Sequence, residues 1–289
     1  MMFSTRIAPT PSGYLHIGNV YSFLITWLIT RQQQGKLLLR IDDLDELRLK
    51  KPYVADIFET LEFMQIDYDA GPKNNEEFFV SHSQQFRLKS YHQLIEKLVA
   101  TGMVYACSCS RKTLQAQSNE GSYHEECRHK RLPFDTPGAS WRIHVPAATI
   151  IQFTDEYKGV QLIDLAATMG DFMIKRKDGI PAYQVASLAD DAFYNINLIV
   201  RGEDLLYSTA AQLYLASLVE NQVFNQTRFI HHPLITAETG GKLAKSAGSQ
   251  SVKHLRELGY KRNNVLEMLP PAMDLITKSG ILKPVDSCF

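Results

Sequence analysis

The chain has 289 residues, of which 45% are hydrophobic, so it can bury the core of one elaborate domain or of two. Lysine plus arginine equals aspartate plus glutamate at 31 each, so the formal net charge is zero and no global positive field indicates a nucleic-acid partner. No apolar stretch approaches the roughly 20 residues that a membrane helix needs, and we expect a soluble cytoplasmic protein.

The first predicted elements are a strand, a turn, a helix and a second strand. Residues 4–8 form a predicted strand that ends at two prolines, which continue neither a sheet ladder nor a helix. Apolar residues recur at helical spacing over residues 20–28, and this pattern ends at Gly35. Residues 36–41 then form an apolar strand. This order predicts a βαβ unit of a parallel sheet.

Shorter elements are predicted further along the chain. Helices are predicted for residues 53–65 and 84–101, and strands for residues 140–145, 171–176 and 198–200. Ser208 and Thr209 precede an apolar run, so we predict that they cap a helix extending to about Val219. The residues beyond Gly259 are predicted to form short helices.

Three of the four cysteines, at positions 107, 109 and 127, lie within one short segment. This spacing favours a metal site over a secreted disulfide framework. Three thiolates and one further ligand suit tetrahedral Zn²⁺, and residue chemistry alone predicts His124 or His129 as the fourth ligand. Three buried structural cysteines without a metal are the alternative.

Two motifs have the composition of phosphate-binding sequences. His16-Ile17-Gly18-Asn19 follows the first strand, where a helix N-terminus offers unpaired N–H groups and the positive end of its dipole. Lys242-Leu243-Ala244-Lys245-Ser246 lies among glycines, so both lysines can bring charge to a triphosphate. Taken singly, each motif is more typical of an ordinary surface turn or loop.

Together the two motifs resemble the paired signature sequences of class I aminoacyl-tRNA synthetases. Residues 6–18, 40–45, 178–184 and 200–206 resemble the glutamyl and glutaminyl branch of that class. The resemblance covers roughly residues 4–250. It implies an α/β fold, namely a class I synthetase Rossmann-type catalytic core with a zinc-bearing insertion and a small C-terminal helical region.

The resemblance also implies how the chain is divided. The expected parts are the first half of the core at residues 1–105, the zinc-bearing insertion at residues 106–137, the second half of the core at residues 138–235, and a phosphate-binding lysine loop with a helical stem-contact-like region at residues 236–289. Few residues follow Lys245, so we expect no anticodon-binding domain. The short form resembles the glutamyl-queuosine tRNA(Asp) synthetases, truncated paralogues that activate glutamate without tRNA and attach it to queuosine in the anticodon of that tRNA.

The resemblance further implies roles for single residues. The amino-acid pocket is expected to contain two cations facing the two carboxylates of glutamate, and the matching residues are Arg6, Ala8, Thr10, Tyr183 and Arg201. The ATP-binding positions, which Mg²⁺ would accompany, are His16, Gly18, Asn19, Lys242 and Lys245, with His16 and Lys245 as the catalytic pair. The implied zinc ligands are Cys107, Cys109, Tyr123 and Cys127, with Tyr123 in place of a histidine.

Structural alternatives accompany two of these roles. Tyr183 could instead pack in the core, and Arg201 could form an ion pair with Glu203 or Asp204.

Two positions depart from the family pattern. Asp42 is expected to bind the α-ammonium group of the substrate, but the family usually has a glutamate side chain at this position. An aspartate side chain here is more like the glutaminyl enzymes. Ala244 replaces the serine that usually precedes the catalytic lysine. Two alternative functions therefore stay possible. One is a glutamate or glutamine adenylate-forming ligase that acts on another acceptor, and the other is a catalytically weakened synthetase remnant that binds tRNA. The expected partners of this presumed monomer are ATP, L-glutamate and the anticodon stem-loop of tRNA(Asp).

Overall fold

The computed structural model describes residues 3–109, 126–235 and 251–270. The strands in these ranges are β1 (Ser4–Ile7), β2 (Lys36–Leu39), β3 (Val104–Cys107), β4 (Ser140–Ile143), β5 (Ile150–Asp155), β6 (Gly159–Asp164), β7 (Phe172–Lys175), β8 (Leu198–Gly202) and β9 (Arg228–His232). The α-helices are α1 (Ile17–Gln32), α2 (Lys51–Phe63), α3 (Asn75–Glu77), α4 (Leu88–Ala100), α5 (Glu126–His129), α6 (Leu165–Thr168), α7 (Tyr183–Phe193), α8 (Leu206–Leu218), α9 (Gln222–Asn225), α10 (Val252–Glu257) and α11 (Arg262–Glu267). A π-helix (Phe78–His82) and two 3₁₀ turns (Gln84–Arg87 and Glu203–Leu205) complete the helical segments of these ranges.

The predicted βαβ unit is confirmed. β1 and β2 pair in parallel, with Ser4 opposite Lys36 and Ile7 opposite Leu39. The connecting helix α1 buries one side against this pair and the other against β8 and β9, which is why apolar residues surround much of its circumference. The predicted helices and strands of the later chain also form, with ends shifted by a few residues.

A four-stranded sheet has the strand order β6-β5-β9-β8. β8 and β9 are parallel, with Leu198 opposite Arg228 and Gly202 opposite His232. The backbone N–H of Asn197 donates to the backbone carbonyl of Ser4 at 3.0 Å, so β8 begins beside β1. The carboxyl ends of these strands meet at one edge, which is where open α/β sheets bind ligands.

A separate antiparallel sheet, β3-β4-β7, carries the first cysteine. Cys107 is the last residue of β3 and lies opposite Ser140 of β4. Among the described helices, none is both long enough and apolar enough to cross a membrane. The division into four parts stays a prediction.

The predicted helix cap at Ser208 and Thr209 is wrong. Helix α8 begins at Leu206, because the 3₁₀ turn Glu203–Leu205 leads directly into it. Thr209 is therefore inside the helix and fully buried, and its hydroxyl group binds side chains of the sheet. A tertiary contact has replaced the local capping bond that the sequence predicts.

Candidate active site and metal site

A cavity of about 560 Å³ lies where β1, β8 and β9 end and α1 begins. This volume is typical of small-ligand sites. Eight of the predicted site residues line it, namely Arg6, Ala8, Thr10, His16, Gly18, Asn19, Tyr183 and Arg201. The fold thus brings together residues nearly 200 positions apart in the sequence.

One end of the cavity is the N-terminus of α1. His16 precedes the first helical residue, and its backbone N–H donates to the Asn19 side-chain oxygen at 3.0 Å. The first turn contains no acidic side chain that would compete with an anionic ligand for the free N–H groups of the helix. A β-carbon on Gly18 would lie 3.0 Å from the His16 ring, so a glycine at this position avoids a close contact with the imidazole. Burial lowers the pKa of His16, which keeps the imidazole neutral at pH 7.

Arg201 is the most informative residue of the cavity. Its side chain is only 4% exposed, and its Nη2 donates to Gln212 Oε1 at 3.0 Å and to the Thr209 hydroxyl oxygen. Its Nη1 has no hydrogen-bond partner among the described residues. Burial lowers the pKa of Arg201, with the nearby Tyr183 hydroxyl opposing this shift. A buried guanidinium with an unpaired N–H group favours an anionic ligand.

The geometry disagrees with core packing of Tyr183 and with an ion pair between Arg201 and Glu203. Tyr183 is 42% exposed and faces the cavity, so it is not packed in the core. Glu203 accepts a hydrogen bond from Lys158 Nζ at 2.6 Å, and Arg201 binds Thr209 and Gln212.

His232 supplies a second unpaired atom, which sequence reasoning missed. Its Nδ1 lies 2.9 Å from the carbonyl oxygen of Pro233, and because a carbonyl only accepts, Nδ1 carries the proton. Its Nε2 is then an acceptor, and it has no partner in the described chain although the residue is only 3% exposed. Burial lowers the pKa of His232, so the ring is neutral. Its place at the carboxyl end of a parallel strand is the signal that could have identified it.

Arg6 and Asp42 belong to a buried ion-pair network. Arg6 Nε donates to Asp191 Oδ1 at 2.9 Å, and Arg40 Nη1 donates to the same oxygen at 2.7 Å. Burial opposes ionisation of Asp191, yet these two guanidinium groups hold its pKa below the ordinary value. Arg40 also donates to both oxygens of Asp42, at 2.6 and 3.0 Å. Asp42 is not among the residues that line the cavity.

The three cysteines converge as predicted. The sulfur atoms of Cys107, Cys109 and Cys127 all lie within 4.8 Å of one another, and those of Cys109 and Cys127 are 3.0 Å apart. Burial and the neighbouring thiols raise the pKa of Cys127 to about 12. A divalent cation would offset this cost by stabilising the thiolates. The cluster can hold a metal such as zinc, and His129 of α5 is not part of it within the described residues.

Asp171 attaches this cluster to the antiparallel sheet. Its carboxylate accepts from the Tyr105 hydroxyl at 2.7 Å and from the backbone N–H of Val145 at 2.8 Å. Arg128, next to Cys127, lies 3.8 Å from the same carboxylate. Strand β3, the residues after β4 and the cysteine-bearing helix α5 therefore all contact the carboxylate of Asp171, which directly precedes β7.

Three predicted site residues, Tyr123, Lys242 and Lys245, lie outside the described residues, as do His124 and Ala244. Their roles stay predictions.

Comparison with known sequences agrees with this geometry. The family described as tRNA synthetases class I (E and Q), catalytic domain, matches residues 2–271. The chain belongs to this family. A class I tRNA synthetase is a ligase, and its catalytic-core fold is the one predicted from the sequence.

Individual relatives of this synthetase fall into a short and a long form. A glutamyl-Q tRNA(Asp) synthetase of Pseudomonas putida (strain W619) is 38% identical, over 92% of this chain and 88% of the relative. Glutamate–tRNA ligase 2 of Syntrophus aciditrophicus is 35% identical, over 91% of this chain but 56% of the ligase. A solved glutamate-tRNA synthetase from Elizabethkingia anophelis superposes with a TM-score of 0.72 at 25% identity, over 90% of this chain. This chain spans about half of that structure, at 54%.

Proposed function

We propose that this synthetase activates glutamate with ATP, without requiring tRNA, and transfers the glutamyl group to queuosine in the anticodon of tRNA(Asp). The observation that carries the first step is the buried Arg201, which lines the cavity and whose Nη1 has no hydrogen-bond partner in the described part of the chain. The relatives named glutamyl-Q tRNA(Asp) synthetase support the second step, because they match nearly the whole of this chain.

The charges around the cavity favour a dicarboxylate. Arg6 is neutralised by Asp191, which it shares with Arg40, whereas the side-chain partners of Arg201 are a hydroxyl, an amide and an imidazole. Arg201 therefore has no hydrogen-bonded anionic partner among the described residues, and a carboxylate is the group that best satisfies it. A glutamine side chain would offer a neutral oxygen and would bring its own N–H groups towards the guanidinium.

The activation step needs little covalent participation by the protein. An oxygen of the glutamate α-carboxylate forms a bond to the α-phosphorus of ATP, the bond from that phosphorus to the bridging oxygen breaks, and pyrophosphate leaves. We assign phosphate binding to the N-terminus of α1 with His16, Gly18 and Asn19, and to Lys242 and Lys245. Mg²⁺ would accompany the ATP phosphates.

In the transfer step, a hydroxyl group of the acceptor attacks the carbonyl carbon of glutamyl-adenylate, and AMP leaves. The expected RNA partner is the anticodon stem-loop, whose unstacked bases can enter a cleft. The zero net charge implies that a few local lysine and arginine residues hold the RNA, with a modest salt dependence.

We also propose that zinc is structural here, bound by Cys107, Cys109, Cys127 and Tyr123. Four protein ligands leave no open position for a reacting water molecule. Elemental analysis of freshly purified protein should find about one zinc per chain and much less in Cys127→Ser, while Cys288→Ser keeps its zinc. Unchanged zinc in Tyr123→Phe would remove Tyr123 from the site.

The activation step is tested by ATP–pyrophosphate exchange without tRNA. We expect exchange with glutamate, little with glutamine or aspartate, and a loss of about 10²-fold or more in Lys245→Ala. Exchange with glutamine in preference to glutamate would refute the substrate assignment.

The acceptor is tested separately with labelled glutamate, ATP and two preparations of tRNA(Asp), one containing queuosine and one lacking it. Label should enter only the first and should survive oxidation of the terminal adenosine. Equal labelling of both preparations would instead identify an ordinary acceptor-end ligase.

A further inference from the structure

We infer that Asp155, His231 and Thr209 form a hydrogen-bonded relay that positions Arg201, and that the relay determines which edge of the guanidinium meets the substrate carboxylate. This inference rests on the proposed function, because it assigns positioning residues to the same pocket. All four side chains are buried, and they come from β5, β9, α8 and β8 respectively.

The relay begins at Asp155, the last residue of β5. Its Oδ1 accepts from the backbone N–H groups of Tyr157 at 3.0 Å and Lys158 at 2.7 Å. Its Oδ2 lies 2.9 Å from the backbone nitrogen of His231 and 2.6 Å from Nδ1 of the same residue. Four donors thus surround an ionised carboxylate, and the imidazole proton must be on Nδ1.

Protonation at Nδ1 fixes the direction of the next bond. Nε2 of a neutral His231 accepts, and the Thr209 hydroxyl oxygen is 2.7 Å from it. The hydroxyl hydrogen therefore points to His231, although the carbonyl of Leu205 is a more distant alternative at 3.4 Å. With its hydrogen engaged, the hydroxyl oxygen presents its lone pairs to Arg201 Nη2.

Arg201 is consequently held along one edge. Its Nε faces His231 Nε2 at 3.4 Å, and the two N–H groups of Nη2 are taken by Thr209 and Gln212. Only Nη1 is left without a partner among the described residues, and Arg201 lines the cavity. If the histidine adopted the other tautomer, an N–H group would face the guanidinium and the arrangement would be lost.

The relay predicts a selective kinetic effect. A displacement of the guanidinium by about 1 Å can cost about 10²-fold in rate, because hydrogen bonds to the reacting group depend on close alignment. The effect should concentrate on glutamate, since the phosphate-binding end of the cavity is built from α1. A merely structural role would weaken stability without distinguishing the two substrates.

The test compares Thr209→Val, which keeps the shape and removes the hydroxyl group, with Thr209→Ser, which keeps the hydroxyl group. In pyrophosphate exchange we expect Thr209→Val to raise the KM for glutamate about 10-fold or more while the KM for ATP changes by less than about 2-fold. Thr209→Ser should restore the KM for glutamate to within about 3-fold of the parent. Thr30→Val is the matched control, because Thr30 is a buried helical threonine whose hydroxyl donates only to the carbonyl of Thr26, at 2.6 Å.

An unchanged KM for glutamate in folded Thr209→Val, or equal increases for glutamate and ATP, would overturn the inference. If Thr209→Val does not fold, Thr209→Ala and the serine variant give the same comparison. Absence of glutamate-dependent exchange in the parent protein would refute the proposed function instead. If another amino acid supports exchange, the relay is tested by the KM for that amino acid.

Discussion

At the scale of single residues, the cavity combines an unpaired donor with an unpaired acceptor. Arg201 Nη1 and His232 Nε2 are both buried without partners in the described chain, and both residues line the same space. Leaving such atoms unpaired costs about 1–3 kcal/mol each, so a ligand that satisfies them recovers this free energy on binding.

A lysine at position 201 should not be able to take over the role of Arg201 in binding glutamate. Its single ammonium group cannot bind Thr209, Gln212 and a ligand carboxylate in the planar arrangement that a guanidinium offers. We expect Arg201→Lys to lower kcat/KM for glutamate by about 10²-fold or more in pyrophosphate exchange. Arg228→Lys is the control, because Arg228 is 48% exposed and pairs with Glu156 at the surface, so its exchange should equal that of the parent. Parental kcat/KM in Arg201→Lys would contradict the assignment.

Gly18→Ala should separate stability from ATP use. Alanine favours a helix over glycine by about 0.5–1 kcal/mol, so the midpoint of urea unfolding should stay the same or rise. The new β-carbon would crowd the His16 ring, and the KM for ATP should therefore increase several-fold. Val223→Ala is the control for the KM for ATP, since Val223 is 43% exposed and does not line the cavity. An unaltered KM for ATP in Gly18→Ala would mean that His16 does not contribute to nucleotide binding.

Sequence motifs predict eight of the residues that line the cavity, but they predict neither His232 nor the residues that hold Arg201 in place. Arg6, Tyr183 and Arg201 lie in motifs, and all three line the cavity. The contact between Asp155 and His231 spans 76 positions and exists only because β5 and β9 pair in parallel. Such a contact has no local pattern, so propensity and spacing cannot reveal it. The motifs also predict Asp42 as a site residue, but its carboxylate is bound to Arg40 and does not line the cavity.

At the scale of elements, the residues that follow β2 place charged side chains, including Arg40 and Asp42, in the buried core. Arg40 follows β2 and joins Asp42 to Asp191 of α7, so one guanidinium connects two parts of the catalytic core. Arg40 also lies 3.7 Å from Asp190, and all three of its ion pairs are nearly inaccessible to solvent. Removing one partner from a buried pair costs far more than breaking an exposed one, because the remaining charge cannot be hydrated.

Asp42→Asn should therefore destabilise the protein by about 1–3 kcal/mol, measured as the free energy of unfolding in urea, because it removes two charge-assisted hydrogen bonds while Arg40 keeps Asp190 and Asp191 as ion-pair partners. The asparagine amide would also turn N–H groups towards Arg40. Asp67→Asn, which removes a 71% exposed partner of Arg31, should change the same quantity by less than about 1 kcal/mol. Similar losses in the two variants would show that the Arg40 pair is not sealed from water.

At the scale of the whole molecule, several buried or partly buried histidines couple folding to pH. Burial lowers the pKa of His16, His231 and His232 from the ordinary value of 6.5. Each is neutral in the folded protein and takes up a proton on unfolding below that pH. Their contribution to stability is complete above pH 6.5 and declines as the pH falls towards the lower folded pKa values. Burial raises the pKa of Asp42, so this carboxyl group makes the opposite contribution and increases the free energy of unfolding as the pH falls further.

The free energy of unfolding should therefore be lower at pH 5.5 than at pH 7.5 when both are measured by urea titration. Each histidine contributes up to about 1.4 kcal/mol per pH unit to the slope. His231→Gln should show a shallower slope by as much as one such contribution, even though its absolute stability is lower. Equal stability of the parent at the two pH values would contradict this prediction.

The buried surroundings of Arg201 also restrict how this pocket can change its substrate. An apolar side chain at position 201 would admit a neutral amino acid, but it would leave Thr209, Gln212 and His231 without their common partner in a dry interior. A new specificity therefore requires substitutions on β8, α8 and β9 together. Single substitutions that leave these groups unpaired should lower stability, and their effects should not be additive, so a designed library that varies these positions jointly should yield folded variants more often.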